Sequence, residues 1–511
     1  MDRIIECIPN FSEGRNPLRI KAITDAIESV AGIKLLDVSS GRATNRTVVT
    51  FAGDPESVVE AAFQGIKKAA QVIDMTKHSG VHPRFGATDV CPLVPVSNIS
   101  MDETVQYARK LAERVGNELG IPVFCYEYAA FSEERRSLAN CRWGGYEGLR
   151  KRLESEEGKP DFCSNPWSQQ IAKTGAVAIG ARNFLVAYNI NLNTVSTRLA
   201  NSIALDVRES GRLKRDPNSG GPVPGENGEF LRVPGTLKKT RAIGWFIEEY
   251  GIAQVSMNLV DLSLTPVHVA FDEVTQQAAG RGIRVTGSEL VGLIPLKSLL
   301  DAGRYFLKKQ KRSAGVSDNE LLKIAVKSLG LDDLQPFLPE KKVIEYLLDD
   351  KAGKRISDKP VSKFVQYTAS ESPAPGGGAV AGAVGAMGAA LAGMVANLSA
   401  QKSGWEHRWE EFSTWAEKGK QYHQALLECV DEDAAAFNLL YNALKLPAAD
   451  EQQSAFREQA VLEASKRAIG VPLKVMHNAL LAMDVLREMA ASGNPGTVSD
   501  AGVGHIAPAR L

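Results

Sequence analysis

The sequence predicts an α/β amino-terminal region followed by an all-α carboxyl-terminal region. Short β-rich runs alternate with helical patterns from the start, and a comparable order of elements recurs after residue 183. From residue 361 onward the periodic segments are almost all helical. We therefore expect two related α/β subdomains and a separate helical domain.

A chain of 511 residues exceeds a single hydrophobic core, which also favours several domains. We place the two α/β subdomains at 1–180 and 181–330, a linker at 331–360, and the helical domain at 361–511. The linker mixes Pro, Lys and Asp without a clear period, as connecting segments do.

Periodicity gives the expected elements of each region. The first subdomain should have strands at 4–8, 33–38 and 46–51 and helices at 18–30 and 55–73. The second should have strands in FLVAYNINL and IAQVSMNLVD, a helix at 196–208, and a Gly/Pro-rich surface loop at 212–237. The last region should have helices at 364–367, 379–396, 409–444, 451–469 and 472–489.

The uncharged run from Ala379 to Ala396 approaches the length of a membrane span. It consists mostly of Ala and Gly, whose small side chains let helices approach closely. We therefore expect a tightly packed helix inside a soluble bundle.

Charge and cysteine usage exclude several classes of protein. Lys plus Arg equals Asp plus Glu at 60 each, so no overall field favours nucleic acid or an anionic membrane. The six cysteines show no CxxC pairing, which fits neither a disulfide framework nor a thiolate zinc site. Charges stand where a signal peptide needs an apolar core, so we expect a cytoplasmic protein.

The segment from Lys77 to Asp89 is the densest cluster of chemically capable side chains. His82 suits general acid/base work near neutral pH, and Arg84 offers a fork for a carboxylate. The alternative is that His82 caps a turn and Arg84 pairs with Asp89. The His78/His82 spacing resembles a zinc motif, but the Gly and Pro between and beside them disfavour the helix it needs, and we expect no metal.

Two further features lie in the helical region. The glycines Gly376, Gly377 and Gly378 lead into a helix whose amino terminus could receive an anion, although the residues alone favour a simple tight turn before the helix. In the acidic run Asp431 to Asp433, successive side chains project to different sides of a helix, so one or two can face a pocket. The alternative is a solvated acidic turn.

Long sequence blocks resemble the formimidoyltransferase family. In the first 330 residues they are ECIPNFSEGR, LLDV, TNRTVVTFAG, HSGVHPRFGATDVCPLVP, GARNFLVAYNINLN, TRAIGW, AQVSMNL and GSELVGLIPLKSL. Farther on, PAPGGGAVAGAVGAMGAALAGMVANL and CVDEDAAAF resemble the cyclodeaminases and related methenyl-folate cyclohydrolases. The whole chain thus resembles the bifunctional formimidoyltransferase-cyclodeaminases of histidine breakdown, which implies two ferredoxin-like subdomains before the helical domain.

The resemblance implies transfer of a formimino group from N-formimino-L-glutamate to tetrahydrofolate, which releases glutamate. His82 falls on the family's catalytic histidine, which can take the proton from N5 and return one to the leaving amine. Arg84 and Asp37 would contact substrate. Tetrahydrofolate is then a substrate and one-carbon carrier, and no metal is implied.

The family's folate-binding segment falls on residues 163–174, which makes Cys163, Ser164, Lys173 and Thr174 candidate folate contacts. One position departs from the family, since Ser39 stands where relatives have Asp. If that carboxylate orients the histidine in relatives, another residue must do so here, and we expect lower turnover.

For the second reaction, Asp433 falls on the family's catalytic aspartate, and Gly376 to Gly378 would meet folate. Cyclodeamination closes N10 onto the formimino carbon, expels ammonia and gives 5,10-methenyltetrahydrofolate. Relatives continue into further helices where this chain ends at Leu511, so we expect an incomplete bundle and a weakened second activity.

Two other functions remain open at this point. The chain could be a transferase alone, with a helical region that serves only assembly, or a non-catalytic folate-binding scaffold. The resemblance also implies a homo-oligomer whose ligands are formiminoglutamate and (poly)glutamylated tetrahydrofolate.

Overall fold

A computed structural model describes residues 3–42, 45–80, 84–155, 158–163, 165–225, 229–349, 353–372 and 374–506. The chain divides into two compact units. The first, which we call the α/β unit, runs to Leu296 and includes 331–348; the second, the helical unit, comprises 297–330 and the chain from Asp349. Residues 297–330, which the sequence boundaries gave to the second subdomain, thus belong to the helical unit.

The first sheet of the α/β unit has seven strands. They are β1 Ile4–Cys7, β2 Asn10–Phe11, β3 Ile33–Gly41, β4 Arg46–Gly53, β5 Thr88–Ser97, β6 Val123–Glu127 and β7 Val177–Ala181. The helices of this part are α1 Pro17–Glu28, α2 Pro55–Val72, α3 Met101–Leu119, α4 Leu138–Cys141, α5 Gly145–Leu153 and α6 Gln169–Thr174. Asn16 and Asp54 cap α1 and α2, and each is followed by a proline that suits the first helical position.

The predicted ferredoxin-like arrangement is present in this sheet. β1 pairs antiparallel with β4 and β5, and β3 pairs antiparallel with β4. With α1 before β3 and α2 before β5, the chain follows the β-α-β-β-α-β order. β7 and β6 extend the sheet beyond β5 as parallel strands.

The second sheet repeats the same order in its four strands, β11-β12-β8-β13. Its elements are β8 Val186–Leu192, α7 Thr197–Val207, β9 Arg212–Leu213, β10 Arg232–Val233, β11 Thr240–Ile247, β12 Ile252–Leu259, α8 Val267–Ala279 and β13 Val285–Val291. The predicted loop at 212–237 carries β9 and β10, which pair with each other. The expectation of a loop without strands was therefore wrong, because this segment satisfies part of its backbone locally.

The remaining helices are α9 Leu296–Lys309, α10 Asp318–Leu329, α11 Pro339–Lys342, α12 Ile344–Leu348, α13 Val361–Thr368, α14 Gly377–Ala400, α15 Trp409–Leu444, α16 Glu451–Ser492 and α17 Val498–Ile506. The short α11 and α12 lie within the predicted linker and belong to the α/β unit. In the helical unit, α14 packs against α15, α16 and α17.

Small residues do allow close packing of α14, as predicted. A side chain at Gly419 on α15 would meet the backbone of Gly393 on α14 at 2.8 Å. The hydrophobic core beside this crossing includes Val395, Phe412 and Met489. The helices therefore approach through backbone contact rather than through large interdigitating side chains.

The prediction of two helices that are separated just before Pro472 is wrong. A single helix of 42 residues, α16, contains Pro472 in its interior. Proline removes one backbone donor from a helix, yet tertiary packing can outweigh that cost. Val471 and Val475 on either side of Pro472 are buried in a core shared with Leu426 of α15. This burial favours a helix that continues through Pro472.

Two helices are long and apolar enough to satisfy a length-and-composition test for membrane spans. They are Gly377–Ala400 and Glu451–Ser492. In the first, 56% of the most apolar window is buried within the protein, as expected for a core helix of a bundle.

Candidate functional site

The first candidate site surrounds the connection between α2 and β5, which carries His82. Residues 81–83, and with them His82, lie outside the described residues. The structure does describe both flanks, His78 to Gly80 on one side and the chain from Arg84 on the other. The surroundings of these flanks define the site.

Asn45, in the turn between β3 and β4, contacts the first flank. Its amide Nδ2 donates to the carbonyl oxygen of Ser79 at 2.9 Å. Its own carbonyl oxygen lies 3.0 Å from Nε2 of His78, which must therefore carry the hydrogen. The Nε2 atom of His78 is thus engaged with a backbone carbonyl oxygen.

Arg84 closes the second flank. Its Nε donates to Glu147 on α5 at 2.9 Å, and its Nη1 donates to the carbonyl oxygens of Met75 at 3.2 Å and of His78. The guanidinium also lies 4.9 Å from the ring centre of Tyr146. The pKa of the Glu147 carboxyl is lowered from its usual value. Partial burial acts to raise it, but a backbone hydrogen bond and the Arg84 guanidinium together outweigh that effect.

The alternative pairing of Arg84 with Asp89 is wrong. Asp89 is fully buried and forms ion pairs with Arg46 on β4 and with Arg142, the latter at 3.0 Å. Burial lowers the pKa of Arg46 even though Asp89 opposes the shift. Arg84 is therefore held by Glu147 on α5 and by carbonyl oxygens of its own loop. To bind a substrate carboxylate through Nε, the guanidinium would have to give up its hydrogen bond to Glu147.

The end of the predicted folate segment lies against the same loop. The backbone N–H groups of Met75 and Ala87 donate to the carbonyl oxygens of Lys173 and Thr174, at 2.9 and 2.7 Å. A side chain on Gly86 would overlap the backbone of Ala176, so these segments touch through their main chains. The structure thus brings Lys173 and Thr174 beside the flanks of His82.

The individual folate candidates differ in their surroundings. Cys163 is half-buried with φ 61°, and burial raises the pKa of its thiol, whereas Ser164 lies outside the described residues. Lys173 is exposed and donates to the carbonyl oxygen of Gln71 at 3.2 Å. Thr174 is buried and its hydroxyl donates within its own helix, so its side chain is already engaged.

Asp37 and Ser39 lie two residues apart on β3 and therefore on the same face of that strand. The hydroxyl of Ser39 donates to Asp37 Oδ2 at 2.9 Å. The carboxylate that relatives have at position 39 is thus replaced by the Ser39 hydroxyl, which contacts the carboxylate of Asp37, two residues earlier on the same strand.

Sequence reasoning missed Asn45, Glu147 and the buried Glu6 of β1. Glu6 is 1% exposed, and burial raises its pKa to about 8, with Arg182 opposing and Glu345 reinforcing the shift. A signal existed for Asn45, since Asn between two strands suits a turn. Glu6 gave no signal, because its burial depends on how the sheet is covered.

The second candidate site lies at the amino terminus of α14 in the helical unit. Asp433 of α15 accepts from the backbone N–H of Ala379 at 2.8 Å. A side chain at Gly378 would overlap the Asp433 carboxylate, whereas one at Gly377 would meet nothing within 4 Å. Gly376 is the residue before the helix and supplies no side-chain cap, so Asp433 serves that role from a neighbouring helix.

The neighbours of Asp433 point elsewhere, as the helical geometry predicted. Asp431 accepts from the backbone N–H of Ile356 at 2.7 Å, and Glu432 pairs with Lys474 of α16 at 2.7 Å. Of the three acidic residues, Asp433 is the one that lies at the glycine turn.

A cavity of about 650 Å³ opens between α9 and α15 in the helical unit. Residues that line it include Arg304, Lys308, Glu417, Lys420 and Gln424. The cavity lining does not include Asp433 or the glycines Gly376 to Gly378. In the described parts of the chain, no cluster of three or more His, Cys, Asp or Glu could hold a metal ion.

Three family models match consecutive parts of the chain. They are the formiminotransferase domain's N-terminal subdomain at 4–182, the formiminotransferase domain at 187–349, and formiminotransferase-cyclodeaminase at 360–509. The formimidoyltransferase-cyclodeaminase of Sus scrofa is 41% identical over 505 residues, which cover 98% of this chain and 88% of the pig protein. The chain belongs to the formimidoyltransferase-cyclodeaminase family.

Two further comparisons cover only part of this chain. The glutamate formimidoyltransferase of Streptococcus pyogenes serotype M1 is 42% identical over 309 residues, which cover 60% of this chain and 94% of that protein. The crystal structure of formiminotetrahydrofolate cyclodeaminase from Thermotoga maritima matches 30% of this chain and 74% of its own, at 29% identity and a TM-score of 0.26.

The match to the third family model extends to residue 509. It therefore does not support the expectation that the formimidoyltransferase-cyclodeaminase helical domain is cut short in this chain. The argument for a weakened second activity, which rested on that expectation, loses its basis.

Proposed function

We propose that this chain transfers the formimino group of N-formimino-L-glutamate to tetrahydrofolate in histidine degradation, giving 5-formimidoyltetrahydrofolate and L-glutamate. The observation that carries the proposal is the family match over almost the whole chain. The adjacency of the His82 flanks and the folate segment supports it. His82 takes the proton that N5 loses on attack and returns a proton to the departing amine.

The helical unit then performs cyclodeamination, closing N10 onto the formimino carbon and releasing ammonia and 5,10-methenyltetrahydrofolate. Asp433 supplies the proton for the leaving nitrogen as a general acid. Its position at the glycine turn supports this role. Neither step calls for a metal.

One reaction tests both activities when glutamate, ammonia and methenyl-folate are measured separately. His82→Ala should abolish glutamate release, and Asp433→Asn should abolish methenyl-folate formation from supplied 5-formimidoyltetrahydrofolate. Glutamate without catalysed methenyl-folate in the unmodified protein would indicate a transferase alone. Folate binding without glutamate release would indicate a scaffold.

The chain acts in the cytoplasm as a homo-oligomer, with no nucleic-acid or membrane partner. An apolar stripe supports assembly, because Ile469, Leu473, Met476 and Leu480 are all more than half exposed on one side of α16. Light scattering of the purified protein should give a mass of at least two chains. A monomer at micromolar concentration would contradict the assembly.

A further inference from the structure

Asn45 combines an unusual backbone with burial. Its φ is 50°, in the left-handed region that residues other than Gly adopt uncommonly and Asn adopts more often than most. The residue is 8% exposed, although it lies in a turn between strands. A buried polar side chain in such a turn requires partners for its amide group.

The polar groups of Asn45 join its own turn to the segment at Gly14 and to the segment of His78 and Ser79. Its Oδ1 accepts from the backbone N–H of Gly14 at 2.9 Å, and its Nδ2 donates to the carbonyl oxygen of Ser79 at 2.9 Å. Its carbonyl oxygen accepts from His78 Nε2 at 3.0 Å. Only an amide of this length offers the donor and the acceptor together, because Asp lacks the donor.

The other flank is joined to the first by Arg84, whose Nη1 donates to the carbonyl oxygen of His78. His78 and Ser79 are thereby held to the turn between β3 and β4, and Arg84 is held to His78 and to Glu147 on α5. These anchored residues belong to the two described flanks of the loop that carries His82.

We propose that Asn45 is a positioning residue for formimidoyl transfer, which fixes the backbone flanking His82. The inference rests on the proposed function. Misplacing a catalytic group by about 1 Å can cost on the order of 10²-fold in rate. Loss of the Asn45 contacts should therefore lower kcat for transfer, while KM for formiminoglutamate changes little, because the partners given for the Asn45 side chain are backbone groups of the protein.

Two substitutions separate positioning from folding. Asn45→Gly tolerates the left-handed backbone but removes both side-chain bonds, and Asn45→Asp keeps the acceptor for Gly14 while placing an acceptor against Ser79. Asn98→Gly is the matched control, because Asn98 has φ 51° and is exposed at the end of β5. Glutamate release is measured per mole of folded protein, beside the thermal midpoint and beside His82→Ala.

We expect kcat to fall about 10- to 100-fold in both Asn45 variants, with KM within about threefold and Asn98→Gly at the wild-type rate. If the Asn45 variants melt at a lower temperature but keep kcat within about twofold per folded molecule, Asn45 is merely structural and the inference is overturned. If His82→Ala keeps its rate, the proposed role of His82 fails, and the inference fails with it.

Discussion

The two candidate sites hold their functional groups by different physical means. In the α/β unit, directional hydrogen bonds from Asn45 and Arg84 to main-chain carbonyl oxygens fix the flanks of His82. In the helical unit, the absence of a side chain at Gly378 lets the Asp433 carboxylate reach the end of α14. The first site should therefore be sensitive to changes of polarity, and the second to changes of size.

The sharpest test of this contrast is Gly378→Ala, which adds one methyl group against Asp433. We expect methenyl-folate formation to fall by at least about 10²-fold, because the carboxylate must move. Glutamate release from the other unit should be unchanged.

Gly377→Ala is the matched control for this substitution, since a side chain there meets nothing within 4 Å. Because Gly377 is also a candidate folate contact, this variant should keep glutamate release and should reduce methenyl-folate formation far less than Gly378→Ala does. Equal losses in the two variants would show that the turn needs backbone freedom, rather than space, at these positions.

Two substitutions at Asp433 separate its role in capping α14 from its role in cyclodeamination. Asp433→Asn keeps an oxygen that can accept from Ala379, so the free energy of unfolding should change little, whereas Asp433→Ala should lose about 1 kcal/mol. Both variants should lose cyclodeamination. Urea unfolding beside methenyl-folate absorbance checks this, and wild-type turnover in the Asn variant would contradict it.

In the α/β unit, buried Glu6 makes stability depend on pH. Because burial raises its pKa from 4.5 to about 8, the native state binds more protons than the unfolded state between those pH values. The free energy of unfolding should fall as pH rises through this window.

Glu6→Gln removes the carboxyl group that titrates in this window. The free energy of unfolding of the variant, relative to wild type, should therefore increase from pH 5 to pH 8. The gain should be a few kcal/mol, since one pKa unit corresponds to about 1.4 kcal/mol. Denaturant unfolding at both pH values measures it, and a pH-independent difference would show that Glu6 is ionised in the folded protein.

The smallest effect is expected at the Arg84–Glu147 pair. Glu147 is 66% exposed, so Glu147→Gln should cost less than about 1 kcal/mol. Arg84 keeps its bonds to the carbonyl oxygens of Met75 and His78, so transfer should continue. A loss above about 2 kcal/mol would mean that the pair is shielded from water.

The sequence predicted those parts of the fold that depend on local pattern. Helix α15 begins and ends where its periodicity places it, and both ferredoxin-like orders are present. It failed at Pro472, where the packing of Val471 and Val475 outweighs a local helix breaker. It also could not identify the burial of Glu6 or the partners of Asp89, because these depend on residues that are distant in sequence.

The glycine turn before α14 also constrains redesign of the helical unit. Position 378 has room for hydrogen alone, while position 377 faces open space one residue earlier. A side chain or a reporter group can therefore be introduced at position 377 without a clash with the protein. Position 378 offers no such choice while Asp433 is kept.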